Sequence, residues 1–193
     1  MDSRRRPVSE RRWNVGRVAA MGAIAVAVFF VGLLVVAFNK DVSNTDTPLM
    51  LKPAPEVVST TYDGDTFDLS RRRGSWVVLN FFNSTCVPCK REHPELVKFN
   101  ETQKALGGTG AELYTIVNDD DEKAVRAFFE QQGGDWPIVR DDDASISVDF
   151  GVAKVPETWL ISPTGVVAQR FTGQVTAALL GEAIASMSAE SPS

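Results

Sequence analysis

The only two cysteines of this 193-residue chain form the segment Cys86-Val87-Pro88-Cys89, directly behind the strand-like run Trp76-Val77-Val78-Leu79-Asn80-Phe81-Phe82 and at the head of a helix-like stretch. This placement constrains fold and chemistry together. A strand that runs into a helix with a thiol pair at the junction reads as a thiol–disulfide redox centre. Residues three apart at the start of a helix share one face, close enough for two sulfurs to bond and separate reversibly. Free N–H groups and the positive end of the helix dipole favour a thiolate on Cys86, so Cys86 is the expected nucleophile, with a pKa below the usual ~8.5. Cys89, one turn inward, is the expected resolving thiol. Pro88 fits the first turn, where its missing N–H is not needed.

Other readings of the pair remain open at this level. A structural disulfide is one, although closing so short a loop removes little unfolded-state entropy. Zinc needs about four ligands, and one CxxC with the single histidine, His93, falls short. Two thiolates with His93 could carry Cu(I), because soft ligands suit that ion.

The N-terminus bears Arg4, Arg5, Arg6, Arg11, Arg12 and Arg17 and is followed by an unbroken apolar run from Val18 to Phe38. A bilayer core needs ~20 apolar residues, and a cleavable signal core has only about 7–15, so the run reads as an uncleaved anchor. The arginines precede it and only Lys40 lies close behind, which places the N-terminus in the cytoplasm and the remainder outside, where a disulfide persists. The expected organisation is a basic cytoplasmic tail (1–17), a transmembrane anchor (18–38), an extracytoplasmic linker (39–52) and one globular domain (53–193). Beyond Phe38, 23 acidic residues face 14 basic ones, a formal net charge of −9 that argues against nucleic-acid binding. The triplets Asp119-Asp120-Asp121 and Asp141-Asp142-Asp143 lack the alternating ligand pattern of a calcium loop and read as solvated turns or helix N-termini.

Along the domain, a hairpin is expected from Val57-Val58, a turn at Asp63-Gly64-Asp65 and Thr66–Leu69. The strand Trp76–Phe82 leads to a helix over about 86–106, then a strand at Glu112–Val117 and a helix from Asp121 to Gln132 that stops at Gly133-Gly134. A short segment at Trp136–Val139 and a helical turn near Ala144–Phe150 follow. A closing hairpin, Trp159–Ile161 with Gly165–Phe171, precedes a last helix from about Val175 to Met187. The pattern fits a mixed α/β sandwich.

Several motifs carry a family resemblance: Pro53-Ala54-Pro55, Tyr62-Asp63-Gly64-Asp65-Thr66, the strand Val78–Phe82 entering Cys86-Val87-Pro88-Cys89-Lys90-Arg91-Glu92, and Gly151-Val152 leading to Val155-Pro156-Glu157-Thr158. From Pro53 onward the chain resembles the membrane-anchored thioredoxin-like thiol–disulfide oxidoreductases of the TlpA, ResA and CcmG type. The resemblance implies a thioredoxin-like three-layer α/β sandwich with a central mixed sheet and an added N-terminal β-hairpin. It implies a cis peptide bond before Pro156, which would lie against the disulfide and shape the substrate groove. Glu92 matches the family's active-site acid. Helical spacing independently sets Glu92 on the side of Cys89, where a carboxylate can exchange the resolving thiol's proton. The site residues expected are therefore Cys86, Cys89, Glu92 and Pro156, with no cofactor beyond the redox-active disulfide and no metal.

Two positions depart from the family pattern. Thr85 stands where tryptophan usually precedes the first cysteine; it could cap the helix but offers no aromatic surface. Lys154 precedes Val155 where a bulkier residue is common, which implies a more polar groove. The function implied by the resemblance is reduction of protein disulfides outside the cytoplasm, such as those of apocytochrome c CxxCH during cytochrome c maturation, with a membrane thiol electron donor. The same residues would serve an oxidant or isomerase, and a copper metallochaperone or a non-catalytic tethered binding domain are the alternatives of another class.

Overall fold

The computed structural model describes residues 19–31, 43–44 and 47–190. The chain divides into two units, Met1–Asp41 and Val42–Ser193. In the first, residues 19–31 are helical (α1). Residue 18 and residues 32–38 of the expected anchor lie outside the described residues, as does the basic tail 1–17. Among the described residues no helix is long and apolar enough to cross a membrane.

The second unit is built on β4 (Val77–Phe82), every residue of which is buried. Alternation sorts its side chains between two cores. Val78 and Phe82 join Cys89, Leu96, Phe99, Val125, Phe129 and Leu180 on one face, whereas Val77, Leu79 and Phe81 join Phe67, Ile146, Phe150 and Trp159 on the other. The sheet has six strands in the order β1 (Ser43–Asn44), β8 (Val167–Thr172), β7 (Glu157–Ile161), β4, β5 (Glu112–Val117), β6 (Ile138–Arg140). β4, β5 and β6 run parallel, β7 is antiparallel to β4, and β8 is antiparallel to β7. Helices α2 (Val87–Ala105), α3 (Glu122–Gln132) and α5 (Ala177–Glu190) supply the first core, and the hairpin β2 (Val58–Thr60)–β3 (Thr66–Asp68) with α4 (Ser145–Phe150) supplies the second. The mixed sheet, its helical layers and the added hairpin match the expected architecture.

Three local details sharpen these expectations. The stretch read as a linker is partly sheet: Ser43 and Asn44 pair with Thr172 and Phe171, and Leu51 N–H donates to the Val167 carbonyl. Asp141 takes the helix N-terminus position expected of its triplet but is buried there, 2 % exposed, with its carboxylate accepting the N–H groups of Ile146 and Ser147 and the Ser147 hydroxyl at the start of α4. The last helix begins at Ala177, so Val175 keeps a backbone N–H outside the helical ladder.

Candidate active site

β4 delivers the chain to its C-terminal edge, where Asn83-Ser84-Thr85 turns it into α2. Cys86 is the N-cap of that helix, and its sulfur accepts the backbone N–H of Cys89 at 3.2 Å. Thr85 therefore does not cap α2; its hydroxyl donates instead to Asn83 Oδ1 at 2.6 Å. Cys86 and Cys89 form a disulfide with Cα atoms 5.3 Å apart. Cys86 is half-buried, whereas Cys89 is 1 % exposed within the core that includes Leu96 and Phe99. The difference in exposure follows from the helix: position 86 lies at its mouth and position 89 on its inner face.

Val155–Pro156 is a cis peptide, and the Val155 carbonyl oxygen lies 3.7 Å from Cys86 Sγ. The structure thus brings Pro156 and the cysteine pair together. Immediately after it, Glu157 is 1 % exposed and fully engaged: Oε1 accepts from Trp159 Nε1 (2.7 Å) and Arg170 Nε (2.8 Å), and Oε2 from Arg170 Nη2 (2.9 Å). This buried pair ties the start of β7 to β8.

Glu92 sits one turn beyond Cys89 and is only 2 % exposed, unlike an ordinary surface-helix glutamate. Asn80 shares the parity of Val78 and Phe82 and so faces α2 from β4; its Nδ2 donates to Glu92 Oε1 at 2.7 Å and to Thr158 Oγ1 at 3.1 Å. The free Val175 N–H donates to Oε2 at 2.7 Å. Burial pushes the Glu92 pKa from 4.5 up to about 7, against the two donors that favour the anion. A group that titrates near neutrality can both accept and return a proton.

His93 takes a different role from a metal ligand. Its ring packs among Phe128, Phe129 and Trp136, and Nε2 lies 2.8 Å from the Gly133 carbonyl oxygen. The box has no room to spare, since a Cβ on Gly134 would lie 3.0 Å from the Trp136 ring and 3.1 Å from Phe129. Burial holds the His93 pKa below its usual value, which keeps the ring neutral. Among the described residues no three His, Cys, Asp or Glu side chains are grouped to hold a metal ion.

A matching family model supplies the identity: AhpC/TSA covers residues 50–170. The chain belongs to the AhpC/TSA family. It is 31 % identical over 127 residues to the thiol-disulfide oxidoreductase ResA of Bacillus subtilis (strain 168), an alignment covering 66 % of this chain and 69 % of that protein. ResA of Geobacillus thermodenitrificans (strain NG80-2) is 31 % identical over 159 residues, 82 % of this chain and 83 % of the relative. Among solved structures, the thioredoxin domain of a thiol-disulfide oxidoreductase from Bacteroides vulgatus superposes with a TM-score of 0.63 at 19 % identity, covering 73 % of this chain and 99 % of that one. StoA from Bacillus subtilis gives 0.59 at 21 %, with 71 % and 99 % covered. These structures establish the thioredoxin-like fold. With the Cys86–Cys89 disulfide, this AhpC/TSA member is a thiol–disulfide oxidoreductase of the ResA type.

The residues that sequence reasoning missed are the partners of Glu92. Asn80 lay within a run read only as a strand, although a lone amide in an otherwise apolar buried strand is itself a signal, because such a group needs partners. Val175 carries no side-chain signal, since its contribution is a backbone N–H.

Proposed function

We propose that the chain is held at a membrane through its N-terminal segment and reduces disulfides in other proteins outside the cytoplasm, with the CxxCH cysteines of apocytochrome c as the substrate. The substrate class rests on the resemblance to the TlpA, ResA and CcmG type. The observation that carries the reading is the asymmetry of the pair: Cys86 is open at the helix mouth, while Cys89 is closed off with Glu92 one turn away.

In the reduced protein, the Cys86 thiolate attacks one sulfur of the substrate disulfide. That S–S bond breaks, a mixed disulfide forms, and the first substrate thiolate leaves. Cys89 then gives its proton to Glu92 and attacks Cys86 Sγ, expelling the second substrate thiolate. Two electrons have passed to the substrate, whose thiolates take up two protons, and Cys86–Cys89 is oxidised. Pro156 and the Val155 carbonyl form the wall against which the substrate chain is held. A membrane-bound dithiol donor returns the pair to the reduced state.

The test is trapping. Cys89→Ser should accumulate mixed disulfides through Cys86 with a CxxCH-bearing apocytochrome, and Cys86→Ser should not. A Cys89→Ser protein that captures other proteins but no c-type apocytochrome would remove the substrate assignment.

A further inference from the structure

The loop that precedes Cys86 is fastened to an acidic neighbour. Both the backbone N–H and the hydroxyl of Ser84 donate to the Asp120 carboxylate, the hydroxyl at 2.7 Å to Oδ1. A second link runs from Asn83 Nδ2 to the Asp119 carbonyl at 3.1 Å, and Asp119 itself is left-handed at φ 46°. Ser84 is buried, and Asp120 is half-buried where β5 leads into α3. This joint lies directly before Thr85, the residue that stands where the family commonly has tryptophan.

Two physical consequences act on Cys86 in the same direction. The Asp120 carboxylate is bonded to Ser84, two residues before Cys86, and a negative charge fastened to that turn disfavours a second one on the sulfur. The joint also uses up two donors, the Ser84 N–H and hydroxyl, that would otherwise stand free two residues before the sulfur. Among the described residues, the donor that reaches Cys86 Sγ is Cys89 N–H. Charged groups elsewhere near the pair are the exposed Lys90 and Arg91 on the first turns of α2, the exposed Lys154 before Val155–Pro156, and Glu92 on the inner face. Asp120 is the anion fastened to the turn that carries Cys86.

We propose that Asp120 is a positioning residue that tunes the redox couple: its carboxylate, anchored on Ser84, disfavours the Cys86 thiolate, shifts the thiol–disulfide equilibrium toward the disulfide, and so makes the protein a stronger reductant. The inference rests on the assignment of Cys86 as nucleophile. No new redox step is required. The dithiol form is the one carrying the thiolate, so whatever destabilises that anion favours release of the electron pair to a substrate disulfide.

The experiment compares the full-length wild-type chain with Asp120→Asn and Asp120→Glu, equilibrated against dithiothreitol redox buffers, with the Cys86 pKa followed by thiolate absorbance. Asp120→Asn keeps an acceptor for Ser84 but removes the charge; it should lower the Cys86 pKa and shift the equilibrium about three- to tenfold toward the dithiol, or roughly 15–30 mV at 29.6 mV per tenfold. Asp120→Glu keeps the charge and should stay near wild type. Ser84→Ala, which removes the hydroxyl bond and leaves the backbone N–H as the remaining tie to the same carboxylate, should move the equilibrium part of the way in the direction of Asp120→Asn and serves where that variant does not fold. An unmoved equilibrium in Asp120→Asn, or equal shifts in the Asn and Glu variants, would overturn the proposal. Iodoacetamide mapping separates the underlying reading: first label on Cys89 overturns the nucleophile assignment and this proposal together, whereas label on Cys86 with an unmoved equilibrium overturns the proposal alone.

Discussion

Asn80 donates its side-chain amide to Glu92 Oε1 at 2.7 Å, joining the central strand to the helix that carries both cysteines, with both residues almost wholly buried. Because Val175 N–H closes the other oxygen, the carboxyl is held between donors in a site that water barely reaches. The balance of burial against hydrogen bonding sets its pKa at about 7. Glu92 is thereby suited to trade a proton with Cys89 at neutral pH.

That pKa makes stability depend on pH. Between 4.5 and about 7 the folded protein holds a proton on Glu92 that the unfolded chain has lost. The contribution is therefore largest below pH 4.5, falls as pH rises and levels off above about 7, a swing on the order of 3 kcal/mol at 1.36 kcal/mol per pH unit. Glu92→Gln should abolish this decline in urea titrations run from pH 5 to 8. It should also be less stable than wild type at pH 5, since its amide oxygen accepts from one of Asn80 and Val175 while its N–H₂ meets the donor of the other. A variant that keeps the decline would assign it to another group.

His93 produces the opposite slope. Its folded pKa is lowered by burial, so its contribution is complete above the unfolded value of 6.5 and is lost as pH falls through the depressed folded pKa. In wild type the two slopes oppose each other where their pH windows overlap. In Glu92→Gln, stability should rise with pH up to about 6.5, and adding His93→Phe, which keeps an aromatic ring in the box, should flatten the curve. The loss of the Gly133 partner should lower the whole curve by about 1–3 kcal/mol.

The Arg170–Glu157 pair supports β7 and β8 beside Pro156. Its side chains are 15 % and 1 % exposed, so Arg170→Ala leaves a buried carboxylate that keeps Trp159 Nε1 as a donor but loses its charge partner, and should cost about 3–5 kcal/mol. Lys104→Ala removes an exposed partner of Asp135 and should cost about 1 kcal/mol or less. Denaturant midpoints of the two variants measure the contrast.

Local pattern accounts for what could be read beforehand. The apolar β4 and β5, the CxxC at a strand–helix junction, the Gly133-Gly134 stop and the Val155-Pro156 segment each announce themselves within a few residues, and the fold follows from them. The partners of the site do not, because they meet across long separations: 83 residues from Glu92 to Val175 and 36 from Ser84 to Asp120. The edge strand Ser43–Asn44 is equally silent, since its two polar residues have no alternation and gain their conformation from β8. A helix N-terminus was legible for the triplet that holds Asp141, but the chain does not say which of its members turns inward to take that place.

The direction of electron flow is the central claim, and the reduction potential of the full-length chain against dithiothreitol or glutathione buffers tests it most directly. A value near or below thioredoxin's ~−270 mV is predicted, as required of a reductant that draws on a membrane dithiol donor. A value near the ~−120 mV of a strong oxidant would make the protein a disulfide donor and contradict the account.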